Sequence, residues 1–267
     1  QWIAGIINGT TNFILSEMRE KGMSFESVLA EAQKLGYAEA DPTFDIEGID
    51  AAHKLSIMSA IAFGIPMQFD KCYTEGISRL TREDIAYAEQ LGYRIKLLGE
   101  DIAYAEQLGY RIKLLGITKR KAHGVELRVH PTLIPAKRLI ANVEGVMNAV
   151  LVQGDAVGAT MYYGRGAGAE PTGSSVVADL VDITRMHTAD PEHRVPHLAF
   201  QPDRLADLPI LPMDEVETAY YLRMRVADKP GVLADVTRIL ADLNISIDAM
   251  VQKEPSEGED QTDIILL

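Results

Sequence analysis

Residues 36–63 run Gly36-Tyr37-Ala38-Glu39-Ala40-Asp41-Pro42-Thr43-Phe44-Asp45-Ile46-Glu47-Gly48 and then Ile49-Asp50-Ala51-Ala52-His53-Lys54-Leu55-Ser56-Ile57-Met58-Ser59-Ala60-Ile61-Ala62-Phe63, an acidic, Pro-containing loop that feeds an apolar helix. Loops held against rigid helices are where binding groups concentrate. Five carboxylates, Glu39, Asp41, Asp45, Glu47 and Asp50, fall within sixteen positions of one cation, Lys54. A helix as apolar as 49–63 belongs mostly in the interior, and a charge carried there needs partners. Asp50 and Lys54 stand one turn apart with the acid N-terminal, the favourable order for a helical ion pair. Alone, such a pair is weak and solvated. With further acids around the same lysine, the segment suits a ligand that carries an ammonium group.

Upstream, Trp2 to Ile7 reads as a strand, and Asn8-Gly9-Thr10-Thr11 supplies turn and cap chemistry for a helix through Glu20. Ser24 caps a second helix, Phe25 to Leu35, whose Val28, Leu29, Ala32 and Leu35 recur at helical spacing before Gly36 stops it. Gly64 and Pro66 close the apolar helix. Downstream, Glu83 to Gly99 is repeated without a change as Glu100 to Gly116. Each copy reads as a helix followed by a strand, and two copies are too few for a solenoid, which needs three or more stacked units. One copy is therefore expected to be surplus. The second should occupy the sheet, because it continues into Ile117-Thr118-Lys119-Arg120, a hairpin at His123-Gly124 and the alternating Val125 to Val129. The strand of the first copy, 93–98, would then be an unpaired edge.

Asn148 to Asp155 and Ala159 to Tyr163 read as strands joined by a short turn. They are followed by Gly164-Arg165-Gly166-Ala167-Gly168-Ala169-Glu170-Pro171-Thr172 and a helix from Ser174 to Met186. Strand, glycine loop, helix is an order that either cradles a phosphate or makes a tight turn; it is not the dinucleotide fingerprint, which needs a second strand ending in an acid. Residues 188–213, with five prolines, read as a linker. His193 and His197 lie there with His187 just before, but Pro196 denies the last two a shared helix and no metal site is expected. The tail, 214–267, is ordered strand, helix, strand, strand, an incomplete ferredoxin-like unit. The fold class is thus α+β: residues 1–187 form a mixed or antiparallel sheet covered by helices, followed by the linker and the partial ferredoxin-like unit.

The 267 residues are 47% hydrophobic, enough for a packed core. A net charge of −13 without a basic run argues against a nucleic-acid partner. The lone Cys72 allows no intrachain disulfide and points to a reducing cytoplasm, where it serves as an inert small core residue. No signal peptide or membrane-length apolar run is present. Gln1 at the start and Leu267 inside a strand-like run lead to the expectation that the chain is a fragment.

The segments Asn8 to Ile14 and Leu35 to Pro42, continued through Asp45, Asp50 and Lys54, resemble the catalytic domain of homoserine dehydrogenase, and the likeness runs from Gln1 to about Met186. It includes Arg128 to Pro135, Asn142 to Ala149 and the Tyr162 to Thr172 glycine loop. The tail from Ala219, with Asp228-Lys229-Pro230-Gly231-Val232-Leu233-Ala234, resembles an ACT domain, an amino-acid-sensing module. The resemblance implies interconversion of L-aspartate 4-semialdehyde and L-homoserine with NADP or NAD, in the branch leading to threonine, methionine and isoleucine. It implies Lys54 as proton donor, Glu39 as holder of the substrate ammonium, Asp50 as substrate ligand and orienter of Lys54, and Asp45 and Tyr37 as further substrate-side groups. Gly36, Gly168 and Thr172 would touch the nicotinamide side of the cofactor. In the family a nucleotide-binding domain precedes this region, so residues 1–267 alone are expected to show no turnover. A homodimer or higher homo-oligomer is the family habit. The competing reading is a non-catalytic amino-acid-sensing fragment with its ligand near Asp228 to Leu233.

Overall fold

The computed structural model describes residues 1–90, 109–187, 196, 199–252, 258 and 260–267. The chain opens with strand β1 (Trp2–Ile6), helices α1 (Gly9–Lys21) and α2 (Phe25–Lys34), a one-turn α3 (Thr43–Ile46) and α4 (Ile49–Phe63). Then follow β2 (Tyr73–Thr74), α5 (Arg82–Gln90), the hairpin β3 (Tyr110–Arg120) and β4 (Val125–Pro135), the hairpin β5 (Met147–Gln153) and β6 (Ala159–Arg165), and α6 (Ala169–His187). The C-terminal unit holds β7 (Leu222–Ala227), α7 (Val232–Asp242), β8 (Met250–Gln252) and β9 (Gln261–Leu266).

Strand β1 is central. It pairs antiparallel with β3, Ala4 facing Ile117, and with β5, Ala4 facing Leu151. The two hairpins extend the sheet on either side and β2 joins β4 in parallel, giving the order β2-β4-β3-β1-β5-β6. Alternate residues of β3 and β4, Ile112 and Leu114 with Val125, Leu127 and Val129, meet Ile14, Met18, Val28 and Leu55 of the covering helices in the main core, as a period-2 pattern requires. The other face is covered in part by Ile140 and Ala141, which pack on Ile6, Leu115, Ile134 and Ala149.

The helix limits follow local chemistry. Asn8 Oδ1 accepts from Thr11 N at 2.9 Å to cap α1, Ser24 caps α2, and Gly22 and Gly64 end α1 and α4 in the left-handed region. Gly48 precedes α4 at φ 77, where a Cβ would also lie 3.2 Å from Val129 Cγ1, so the position requires glycine. Three expectations are refined. The acidic loop contains the α3 turn. α4 buries Ala51, Ala52, Leu55, Ser56, Ser59, Ala60 and Phe63 but leaves Ile57 and Ile61 half-exposed, so one of its faces is open. α6 starts five residues earlier than Ser174, because Pro171 is tolerated in a first turn and Thr172 N donates to Gly168 O at 3.0 Å.

The tandem repeat is used as a composite. Helix α5 comes from the first copy and β3 from the second, as expected for the strand, while the strand of the first copy, 93–98, lies outside the described residues. The first copy owns a cap the second lacks: Thr81 and Asp84 bond reciprocally at the start of α5, whereas Leu98-Gly99 stands before the second. Gly109 lies against the end of α5, since a Cβ there would sit 2.5 Å from Glu89 O. Excising residues 91–107 would leave Leu108 alone to join Gln90 to Gly109. This shortened chain is expected to keep its fold and gain on the order of 1 kcal/mol from the smaller loop-closure cost. A thermal melt that falls by several degrees would contradict it.

The C-terminal sheet has the order β7-β9-β8, all antiparallel. The strand expected over 245–252 is confined to 250–252, after Asn244 turns through a left-handed conformation. Part of the proline-rich segment packs back on the first unit: Ile210 bridges Val125, Ile210 and Leu211 are buried, and Ala206 N donates to Gly64 O at 2.6 Å.

Candidate active site

The end of β1 and the starts of α1 and α4 meet at one corner. Lys54 Nζ donates to Asp50 Oδ2 at 2.7 Å and to Ile7 O at 3.2 Å. Asn8 Nδ2 donates to the same Asp50 Oδ2 at 2.9 Å and to Asp45 Oδ1 at 2.7 Å. One amide thus caps α1 with its oxygen and ties two carboxylates together with its nitrogen. The result is a short chain of bonds, Asp45, Asn8, Asp50, Lys54. The Lys54 side chain is 48% exposed and that of Asp50 20%. An ammonium has three donors, and two of them here are spent on fixed oxygens, so the third can reach an incoming oxygen from the open side.

The structure therefore brings together Lys54, Asp50 and Asp45. It does not join Glu39 to them: Glu39 is exposed, its backbone oxygen accepts from Gln33 Nε2 at 3.0 Å, and its carboxylate makes no bond among the described residues. Tyr37 lies half-exposed with its ring edge-on to Phe13 at 5.0 Å, and its carbonyl accepts from Thr10 Oγ1 at 2.7 Å, which fixes the loop to α1. Gly36 takes φ 76 as the chain leaves α2. Asp41 is occupied locally, and bonding to the Thr43 side chain and to Thr43 N holds its carboxyl below the usual range. Beside Lys54, His53 stacks on Phe69 at 3.7 Å and on Phe44 at 5.7 Å, forming an aromatic rim.

Gly168, at φ 119, and Thr172 are exposed at the start of α6. No hydrogen bond links them to Lys54, but Asn148 places the preceding glycine loop next to the Asn8 corner. A Cβ on Gly166 would fall 1.8 Å from Asn148 Nδ2, and one on Gly9 would fall 3.7 Å from Asn148 Oδ1. Among the described residues that Oδ1 is buried without a partner. Sequence reading gave Asn8 only a capping role and Asn148 only a place in a strand. The sole signal for Asn8 was an amide beside a glycine, and Asn148, between Met147 and Ala149, becomes informative only once the fold closes.

Cys72 is partly buried, and burial pushes its thiol up to about 11, in keeping with an inert residue. Among the described residues no group of three or more His, Cys, Asp or Glu gathers to hold a metal; His193 and His197 lie outside them. No described helix is long and apolar enough to cross a membrane. A second hollow of about 430 Å³ lies in the C-terminal unit, between Val226 to Leu233 and the strand residues Gln252 and Ile264.

The homoserine dehydrogenase family profile matches residues 1–181, and the ACT domain profile matches residues 220–267. The chain belongs to the homoserine dehydrogenase family. It is 64% identical over 266 residues to a homoserine dehydrogenase of Pseudomonas aeruginosa, covering 100% of this chain and 57% of that protein. It is 61% identical to one of Neisseria gonorrhoeae over 251 residues, 94% of this chain and 54% of the relative. A solved homoserine dehydrogenase from Thiobacillus denitrificans superposes with a TM-score of 0.87 at 71% identity, over 100% of this chain and 56% of that one. The chain thus spans little more than half the length of the relatives it matches. The sheet with its helical cover and the small second sheet are those of homoserine dehydrogenases, in agreement with the α+β expectation.

Proposed function

We propose that the protein carrying this chain interconverts L-aspartate 4-semialdehyde and L-homoserine with NADPH or NADH, in the biosynthesis of threonine, methionine and isoleucine in the cytoplasm. The observation that carries this reading is the fixed Asp45, Asn8, Asp50, Lys54 chain at an open corner. In the reducing direction Lys54 gives the aldehyde oxygen its proton from Nζ. Asp50, accepting from that nitrogen at 2.7 Å, aims it at the incoming oxygen. Asp45 gives the corner its anionic side, and Glu39 and Tyr37, on the loop outside that bonded chain, meet the substrate ammonium by charge-assisted and polar contacts. When bound, the nicotinamide supplies or takes the hydride at the aldehyde carbon. The residues present fit such a group: among the described residues Asn148 Oδ1 is a buried acceptor without a donor, and Gly166 has no room for a side chain. Gly36, Gly168 and Thr172 flank it with backbone. The exposed Tyr162 and Tyr163 on the edge strand β6 support a homodimer or higher homo-oligomer built through this sheet.

The hollow at Val226 to Leu233 favours a second role, binding of an amino acid by the ACT unit, and alone would describe a non-catalytic sensor. Assay of the purified full-length protein separates the two. Aspartate semialdehyde is expected to drive oxidation of NADPH or NADH; amino-acid binding with no cofactor oxidation would leave only the sensor.

A further inference from the structure

Asn8 is 5% exposed, and both ends of its side-chain amide are bonded. Oδ1 accepts from Thr11 N at 2.9 Å, so the group turned toward Asp45 and Asp50 is the NH2. Its two bonds run to Asp45 Oδ1 at 2.7 Å and Asp50 Oδ2 at 2.9 Å. The cap alone does not call for this residue. Aspartate caps a helix as well as asparagine does, and its charge is favoured at a helix N-terminus. An aspartate here would set a third carboxylate against two others, and carboxylates that share a site do not all stay ionised.

An NH2 donates and does not accept, so the oxygens it meets are oxygens without a proton. Asp50 Oδ2 takes both this amide and the Lys54 ammonium, the latter at 2.7 Å. We propose that Asn8 is a positioning residue that holds Asp45 and Asp50 as a proton-free pair, leaving the Lys54 ammonium as the group at this corner with a proton to give. The charges that face the amide are Asp45 from α3 and Asp50 from α4, with Lys54 one bond further. Strands β1 and β5 carry no charged residue, and Arg165 of β6 is exposed opposite Met147. The proposal rests on the substrate reading above and adds to it the residue that sets the proton count of the site.

The pH–rate profile of the full-length protein tests it, with L-aspartate 4-semialdehyde and NADPH or NADH as probes. Each variant is read as a ratio to the unmodified protein, so that pH effects common to both cancel. Asn8→Asp keeps the cap and is expected to lower kcat/KM by about 10²-fold at pH 8, the cost of a misplaced reacting group. As pH falls to 6 the three carboxylates take up a proton, the protonated one donates where the amide did, and the ratio should recover by roughly tenfold. Asn8→Ser also caps, but its hydroxyl ends one bond short of the amide nitrogen. Its ratio should be low and flat with pH, at a nearly unchanged melting temperature. A constant ratio for Asn8→Asp, full kcat/KM in Asn8→Ser, or a loss in Asn8→Ser matched by a collapse in melting temperature would overturn the proposal and leave Asn8 a helix cap. If Asn8→Asp fails to fold, the serine variant decides alone. No turnover by the unmodified protein would overturn the substrate reading instead, and so marks a different failure.

Discussion

Lys54→Ala in the full-length protein is expected to lower turnover by about 10²- to 10⁴-fold, the range of a positioned general acid, with almost no change in melting temperature. The lysine is nearly half-exposed and its ion pair with Asp50 is a helical i,i+4 contact. Such a pair contributes only about 0.3–0.5 kcal/mol, and alanine is the better helix former. Stability and catalysis therefore separate at this residue. The structural consequence is small because Asn8 still joins Asp45 to Asp50. The chemical one is large because no other cation bonds to either acid among the described residues. Steady-state kinetics beside a thermal melt decides it: turnover within tenfold of the unmodified protein would remove Lys54 from the reaction. A loss of activity matched by a collapse in melting temperature would show a structural lysine instead.

Much of this arrangement is legible in the chain because it is local. Asn8, Ser24, Gly22, Gly48 and Gly64 set helix ends by cap chemistry within three or four residues, and Asp50 and Lys54 meet because they are one turn apart. The hairpins follow from alternation and turns. Long-range partners are not written that way. The two bonds from the Asn8 amide nitrogen reach 37 and 42 residues along the chain, and Asn148 meets Gly166 only after the β5–β6 hairpin closes. Asp84 bonds locally with Thr81 at the start of α5, while its other oxygen is claimed 137 residues later by Tyr221. The repeat shows the same limit. Two identical segments carry identical propensity, and the cap of the first copy's helix comes from Thr81, a residue outside the repeat.

The largest loss of stability is expected at Glu144, which shares no bond with the lysine site. Its Oε1 accepts from Arg19 at 3.0 Å and Arg111 at 2.8 Å, and its Oε2 from Ser16 at 2.8 Å and Lys113 at 3.2 Å. Lys113 is 2% exposed and also donates to Asn12 Oδ1 at 3.0 Å and Val143 O at 2.6 Å. Burial pushes Lys113 down to about 8 against the pull of Glu144. Burial would raise Glu144, but Lys113, Ser16 and Arg19 hold it below its usual range. Glu144→Ala takes from three cations the anion they share. Breaking such a pair costs about 3–5 kcal/mol, and the 30% exposure of Glu144 places this one near the lower end. A loss of roughly 3 kcal/mol lowers the melting temperature by roughly 6–12 °C at this chain size. The pH dependence has a definite sign. A lysine whose folded value is depressed binds fewer protons folded than unfolded, so its penalty shrinks as pH rises past that value. Without Glu144, Lys113 sheds its proton at still lower pH, and the deficit of the variant should narrow as pH is raised toward 8. In acid the unmodified protein loses the contribution of Glu144 as pH falls through its depressed folded value, again bringing the two together. Adding Lys113→Met to Glu144→Ala should restore part of the loss, since it removes the most deeply buried of the stranded charges. A deficit constant from pH 5 to 8, or a double variant weaker than the single by the full cost of Lys113→Met alone, would show that the carboxylate acts by packing and not as the counter-charge that holds α1 against β3.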